Sequence, residues 1–329
     1  MLANIAKSPT MPQTTRITFL FLLTILAAPL IRADKAQDTS VGTLHVRHVI
    51  GMQGVKRDAV GLLQIKSNEL HFDAGRSRGA LPISSIEDIY IGTETTQAGG
   101  KLGEVAKGAA MAAPYDSGAA LTLLMIQKVD VLTVTYRDSD NGLHAAIFAV
   151  PKNRAEQFRA DLIGNGSHFS NGAKSARVPR DAPPATSDTP AKPNSPPASA
   201  ILVEPVNSGD VSIPAEFRLA MYEALVEKIQ SSGIYARVFR SGDHRAENIA
   251  GLVTLSAEVE KFKEGNQAER EIITVLGATK VTLNVKLSTR DGAILVDKPV
   301  EGKVLFFGEN LNVIQDVAKR ITNLLRKTP

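Results

Sequence analysis

The residues that could do chemistry are few and spaced for other work. His45-Val46-Arg47-His48 sets two imidazoles three residues apart. On a strand that odd spacing turns them to opposite faces, and no nearby carboxylate completes a metal ligand set. Asp138-Ser139-Asp140-Asn141-Gly142 has the acidic rhythm of a calcium loop, but its glycine comes one position early and no Glu closes it. It reads instead as a hairpin turn, with Asp140-Asn141-Gly142 at the tip. Gly99-Gly100-Lys101 has the end of a phosphate loop, yet Thr95 stands where the first glycine belongs and Leu102 where a magnesium-binding hydroxyl belongs. Glu258 and Glu260 share a strand face, but Lys261 and Lys263 interleave with them, as on a solvated sheet face. There is no G-x-S-x-G elbow. No constellation supplies a nucleophile and a base together, so the sequence predicts no enzyme, no catalytic or metal-binding residue and no cofactor.

Composition narrows the classes further. The 329 residues include no cysteine. That removes thiolate zinc sites and thiol nucleophiles, and it leaves each domain to stand on apolar burial without disulfides. Trp is absent and aromatics are few, which argues against stacking platforms for sugars or bases.

The elements that would hold any site come in four segments. Residues 1–33 read as an export signal. Arg16 precedes the apolar run 17–31, Arg32-Ala33-Asp34 follows, and Ala33 is the small residue before the expected cut. Residues 11–33 alone have the same charge order. The run is shorter than the roughly 20 residues of a bilayer span. No cysteine follows it, so the mature chain is expected to be periplasmic or secreted and not lipid-anchored. This segment holds three of the 38 basic residues and none of the 34 acidic ones, leaving 35 against 34. The mature chain therefore has no global pull toward nucleic acid.

Residues 165–199 form the next landmark. Their core, 178–197, holds seven of the chain's 17 prolines and almost no bulky apolar residue. Such a stretch buries too little to offset its ordering entropy and is expected to be a disordered, extended tether between two modules free to move.

The first module, 41–164, is strand-rich. Residues 61–66, 69–73, 81–91, 129–136 and 143–150 carry strand patterns. A helix closes it, with Pro151 near its start, Phe158 and Leu162 on one face and Gly164 as its stop. Gly61, Leu63, Leu70, Phe72, Leu81-Pro82, Ile86 and Phe158 mark an order that resembles bacterial pleckstrin-homology-like and GRAM-like barrels. The resemblance implies a β-barrel with a closing helix and binding to a membrane or protein partner. Lys56, Arg57, Arg76 and Arg78 lie near suitable loops, but a phosphoinositide pocket cannot be placed on them. Within this module, 92–127 is a Gly/Ala-rich insertion whose small residues at three-to-four spacing allow close helix packing. Leu102, Val105, Met111, Tyr115, Leu121 and Leu124 are its candidate membrane or partner contacts. The competing reading is a loop folded over the barrel's open end, with 121–126 entering the next strand.

The second module, 200–328, runs strand, helix, two strands, two strands, helix. Phe217, Met221, Ala224, Leu225 and Ile229 form one helical stripe, started at Ser212 and Pro214 and ended by Gly233. Leu311, Ile314, Val317, Ile321, Leu324 and Leu325 form another. Each helix shows one apolar stripe, so both are expected on one face of a mostly antiparallel sheet, an α/β sandwich in a chain of α+β class. Ser232-Gly233-Ile234-Tyr235, the strand opening at Gly251-Leu252-Val253, the Asp291-Gly292 hairpin and the closing helix resemble a family of bacterial envelope proteins of unknown function. Its relatives include the TolB amino-terminal domain and the curli-export lipoprotein. That resemblance implies a non-catalytic part of an envelope assembly.

Together these features predict an exported, non-catalytic adaptor of the bacterial cell envelope. Its partner would be an envelope protein or complex. Two other readings stand beside it: a membrane-surface module that binds lipid through 99–126, and an unrecognised hydrolase.

Overall fold

The computed structural model describes residues 42–97, 126–166, 199–263, 279–304 and 313–328. The signal segment, the proline-rich core and all six candidate contact residues of the insertion fall outside these. The chain from Ser40 to Pro329 forms one compact unit. Both helices and sheets build it, in the α+β manner. No helix among the described residues is long and apolar enough to cross a membrane.

Seven strands make the first sheet: β1 (Thr43–Ile50), β2 (Ala59–Lys66), β3 (Glu69–Ala74), β4 (Ser77–Pro82), β5 (Ile86–Gln97), β6 (Ile126–Arg137) and β7 (Leu143–Val150). Their order is β4-β3-β2-β1-β7-β6-β5, antiparallel throughout, with β4 and β5 as its edges. The stretch expected as one strand over 81–91 is broken by a single 3-10 turn, Ile83–Ser85, between β4 and β5. Helix α1 (Ala155–Gly164) buries Ala155, Phe158 and Leu162. Its first turn is capped from a distance, since Asp130 Oδ2 on β6 accepts from Ala155 N at 3.4 Å. Leu63, Leu70, Phe72, Leu132, Val134, Ala146, Phe148, Phe158 and Leu162 form the core of this half.

The second sheet has the order β12-β11-β10-β8-β9, built from β8 (Ala200–Val203), β9 (Arg237–Arg240), β10 (Leu252–Lys263), β11 (Thr279–Thr289) and β12 (Ile294–Val304). It is mostly antiparallel, as expected, with parallel pairing confined to its short strands. β12, β11 and β10 pair antiparallel, while β8 pairs parallel with both β10 and β9. The cause is the connection from β8 to β9 through helix α2 (Ala215–Ser232), because strands joined by a crossover helix run parallel. Gly233 ends α2 in the left-handed region, at φ 64°. The helix starts at Pro214 without a side-chain cap, so Ser212 does not serve that role. Helix α3 (Val313–Arg326) lies along α2 and over β11 and β12. A Cβ at Gly302 would overlap the Val317 side chain, so the glycine lets α3 approach β12 closely.

The decisive feature is α2. It buries twelve of its residues, including Phe217, Leu219, Met221, Tyr222, Glu223, Leu225, Val226 and Ile229. A helix buried this far round is enclosed on more than one side. It contacts α3, β8 and β9 of its own half and β1, β5, β6 and β7 of the first sheet. Val49, Val131, Ile147 and Ala149 of that sheet join Phe217, Met221, Leu225 and Ile229 in one hydrophobic core. Two modules moving freely on a tether differ from this arrangement, in which the halves share a core.

Candidate functional site

The polar side of that junction forms a cleft of about 440 Å³. Its walls come from both halves: the loop 51–57 after β1, Asp138 and His144 at the β6–β7 hairpin, Glu223, Glu227 and Gln230 of α2, and Arg240, Asp243 and Arg245 at the end of β9.

Glu223 and Arg240 anchor it. Arg240 Nη1 donates to Glu223 Oε1 and Nη2 to Oε2, both at 2.8 Å, a bidentate pair with Glu223 only 2% exposed. Glu223 Oε1 also accepts from Ala145 N at 2.7 Å, and Arg240 Nη1 also donates to the Leu143 carbonyl at 3.0 Å. The pair thus ties α2 and β9 to β7. Burial alone would lower the Arg240 pKa, but the Glu223 carboxylate more than offsets it and holds the guanidinium above its usual range. Tyr222 OH donates to the Leu143 carbonyl and accepts from Ser241 N, each at 3.2 Å. Burial raises its pKa. Leu143 N donates to the Ser241 carbonyl at 2.9 Å, and Asn141 Nδ2 to that of Gly242 at 3.0 Å. Arg245 pairs with Asp243 at 2.6 Å and with Asp140 at 3.0 Å.

The hairpin tip is held from within. Asp138 Oδ1 accepts from Asp140 N at 3.0 Å and Gly142 N at 2.8 Å. Arg137 pairs with Leu143 across it, so the loop has five residues and only Asn141, at φ 66°, is left-handed. The hairpin turn expected at Asp140-Asn141-Gly142 is present, but a tight primed turn joins its strands through two residues and this loop has five. The side chain of Asp138 supplies the closure instead.

Two buried histidines face the loop wall. His48 Nε2 accepts from Met52 N at 3.0 Å, so Nδ1 carries the proton and donates to the Lys56 carbonyl at 3.0 Å. His144 lies stacked on Tyr136, ring centroids 4.9 Å apart. Its Nε2 donates to Asp138 Oδ2 at 2.9 Å, and the Gln53 amide nitrogen lies 3.2 Å from that same atom. Its Nδ1 is buried without a hydrogen-bond partner. Burial lowers the pKa of both histidines, and for His144 the Arg240 cation adds to the effect. Burial pushes the Asp138 carboxyl up, but the bonds from His144 and Gly142 outweigh it and leave it below its usual range. Tyr136 OH donates to the Gly51 carbonyl at 3.2 Å and accepts from Gln53 N at 3.3 Å, and burial raises its pKa. Gly51, at φ 97°, is required there, because a Cβ would overlap the Ala145 carbonyl oxygen.

Chemically these groups neutralise one another. Arg240 meets Glu223, His144 meets Asp138 and Arg245 meets Asp243, so the wall is a preformed polar surface. The sequence candidates Leu102, Val105, Met111, Tyr115, Leu121 and Leu124 lie outside the described residues. His45 is exposed and His48 buried, so the two do not converge. Among the described residues no group of three His, Asp or Glu side chains could hold a metal ion. Of the residues singled out in the sequence, His48, Arg57 and Asp138 line the cleft, whereas Gln53, Glu223, Glu227 and Arg240 carried no motif. The available signal was Glu223, a charge inside the apolar run from Leu219 to Val226.

No protein-family model matches the chain, and no curated protein matches it. Among solved structures it is similar to the PelC dodecamer from Paraburkholderia phytofirmans, at 12% identity over 42% of this chain and 96% of that one, with a TM-score of 0.31. It is similar to an uncharacterized protein at 17% identity, over 40% and 92%, TM-score 0.27. A homologue of a neuraminyllactose-binding hemagglutinin from Helicobacter pylori is similar at 16%, over 40% and 86%, TM-score 0.23. Likenesses this distant assign neither family nor function.

Proposed function

We propose that this protein is an exported, non-catalytic binding protein of the bacterial envelope that docks an envelope protein at the junction cleft. The observation that carries the reading is the construction of the cleft. Both halves supply its walls, and buried ion pairs and side-chain-to-backbone bonds fix them before any partner arrives. Preformed surfaces lose little ordering entropy on binding. On this reading the first half is a pleckstrin-homology-like module, supported by its seven antiparallel strands and single closing helix. The second half is the envelope-type module, and its long helix serves as the clamp. The export signal 1–33 and the proline-rich segment 165–199 belong to the same proposal.

The test uses rim residues that leave the buried anchors intact. Arg57 and Glu227 face each other across the halves at 3.9 Å and are well exposed. Crosslinking in native envelopes should give a discrete protein adduct with the parent chain, and R57E together with E227K should abolish it. An adduct that survives the rim variant would sink the cleft as the docking surface. Flotation of the mature chain on anionic vesicles, lost on deletion of 99–126, would support the lipid reading instead.

A further inference from the structure

We propose that His48 is a proton-released latch on the wall of the junction cleft. Its ring sits beneath the β1–β2 loop, 5.9 Å from the Phe72 ring and 5.6 Å from that of Phe148. From there it holds both ends of the loop segment that lines the cleft, accepting from Met52 N and donating to the Lys56 carbonyl. Gln53, Gly54 and Val55 lie between those two points and face the cleft.

Only the neutral ring with its proton on Nδ1 makes both bonds. An imidazolium has two donors and no acceptor, so its Nε2 proton would meet the Met52 N–H head on. A proton and the closed loop therefore compete for one lone pair. Two carboxylates face the ring and favour the cation, Glu223 of α2 and Asp58 of the loop. Arg240 of β9, bound to Glu223, and the Asp138–His144 pair of the β6–β7 hairpin line the same cleft. Burial outweighs the Lys56 and Ile50 carbonyls and these carboxylates, and it holds the pKa of the ring below its ordinary value of 6.5. Once the loop lifts, water reaches the ring and that ordinary value returns. Each pH unit below about 6.5 then favours the lifted loop by up to about tenfold, until the buried ring itself is protonated.

The Gln53 amide also lies 3.2 Å from His144 Nε2, a contact that the H144N control removes, while the hydroxyl anchors of the loop do not titrate in this range. Tyr136 OH holds Gly51 and Gln53, and Ser77 Oγ accepts from Lys56 N at 2.7 Å. Acid thus loosens the loop without cutting every tie. This regulation rests on the cleft being the docking site, but its test needs no partner.

Amide exchange of residues 51–57 in the mature chain is measured from pH 7.5 to 5.0, corrected for intrinsic chemistry, with β6 and β7 as internal reference. Loop opening should rise about tenfold per pH unit below 6.5, while the reference strands change far less. The H48Q variant should flatten the response, and H144N should keep it. Imidazole nitrogen shifts of the parent chain give a second readout, independent of variant folding. They should report Nδ1–H at pH 7.5 and titrate together with the Met52 amide. Loop exchange that is flat with pH, persists in H48Q, or vanishes in H144N overturns the latch. Failure of the crosslink at the rim speaks only to the docking reading.

Discussion

Removal of one partner from the Glu223–Arg240 pair is the sharpest perturbation of the junction. Breaking a buried pair from one side costs about 3–5 kcal/mol, because the other charge stays buried and uncompensated. The two sides are unequal. Arg240 keeps a side-chain exposure of 17% and Glu223 only 2%, so E223L should fall near the lower figure and R240M near the upper. At about 2 °C per kcal/mol, these losses lower the melting temperature by roughly 6–10 °C. The double variant E223L/R240M strands no charge. It leaves the Ala145 N–H without its acceptor, while the Leu143 carbonyl keeps Tyr222 OH. Its cost should therefore be that of one or two unsatisfied backbone contacts, about 1–3 kcal/mol. Urea denaturation of the four chains closes the cycle. Additive single losses, or an E223L loss under about 1 kcal/mol, would show that the pair is not the buried anchor described above.

G51A should destabilise by about 2 kcal/mol or more, since the new Cβ meets the Ala145 carbonyl and the backbone is left-handed; thermal melts check this. Y222F should cost about 1–3 kcal/mol by urea denaturation, through the lost bonds to Leu143 and Ser241. Both buried histidines have folded pKa values below 6.5, so an unfolded chain binds protons first as pH falls. Stability is full above about 6.5 and declines below it, by up to roughly 1.4 kcal/mol per pH unit for each histidine, until the folded values are reached. H144N should remove about half of that slope in pH-dependent melts. A protease site placed within 178–197 should yield two fragments that still co-elute in gel filtration at neutral pH and separate for E223L.

Most elements were legible from period and punctuation. Alternation at 252–262 and 281–287 became β10 and β11, and Gly233 ended α2 as its type suggests. The parallel pairings were also available, since a strand-helix-strand unit implies them. What escaped was the junction. The stripe through Phe217, Met221 and Leu225 took up the apolar residues of one face, and the second stripe through Leu219, Tyr222 and Val226 went uncounted. Strand β7 gave the matching signal. Every residue from His144 to Val150 is buried, and a run that is apolar at both parities belongs to a strand covered on both faces. The proline-rich segment between them pointed to independence, because composition reports on the linker and not on what its ends carry. The cleft itself rests on tertiary pairings such as Glu223 with Arg240 and His48 with Met52, which no local pattern encodes.

The position of α2 in the chain has a consequence for biosynthesis. Val49, Val131, Ile147 and Ala149 are all made before the helix that covers them, with the whole proline-rich segment in between. At 5–20 residues per second the wait is on the order of several seconds. During that time the first sheet carries an uncovered greasy face. Residues 42–166 produced alone should therefore self-associate, because the helix that covers this face lies beyond them.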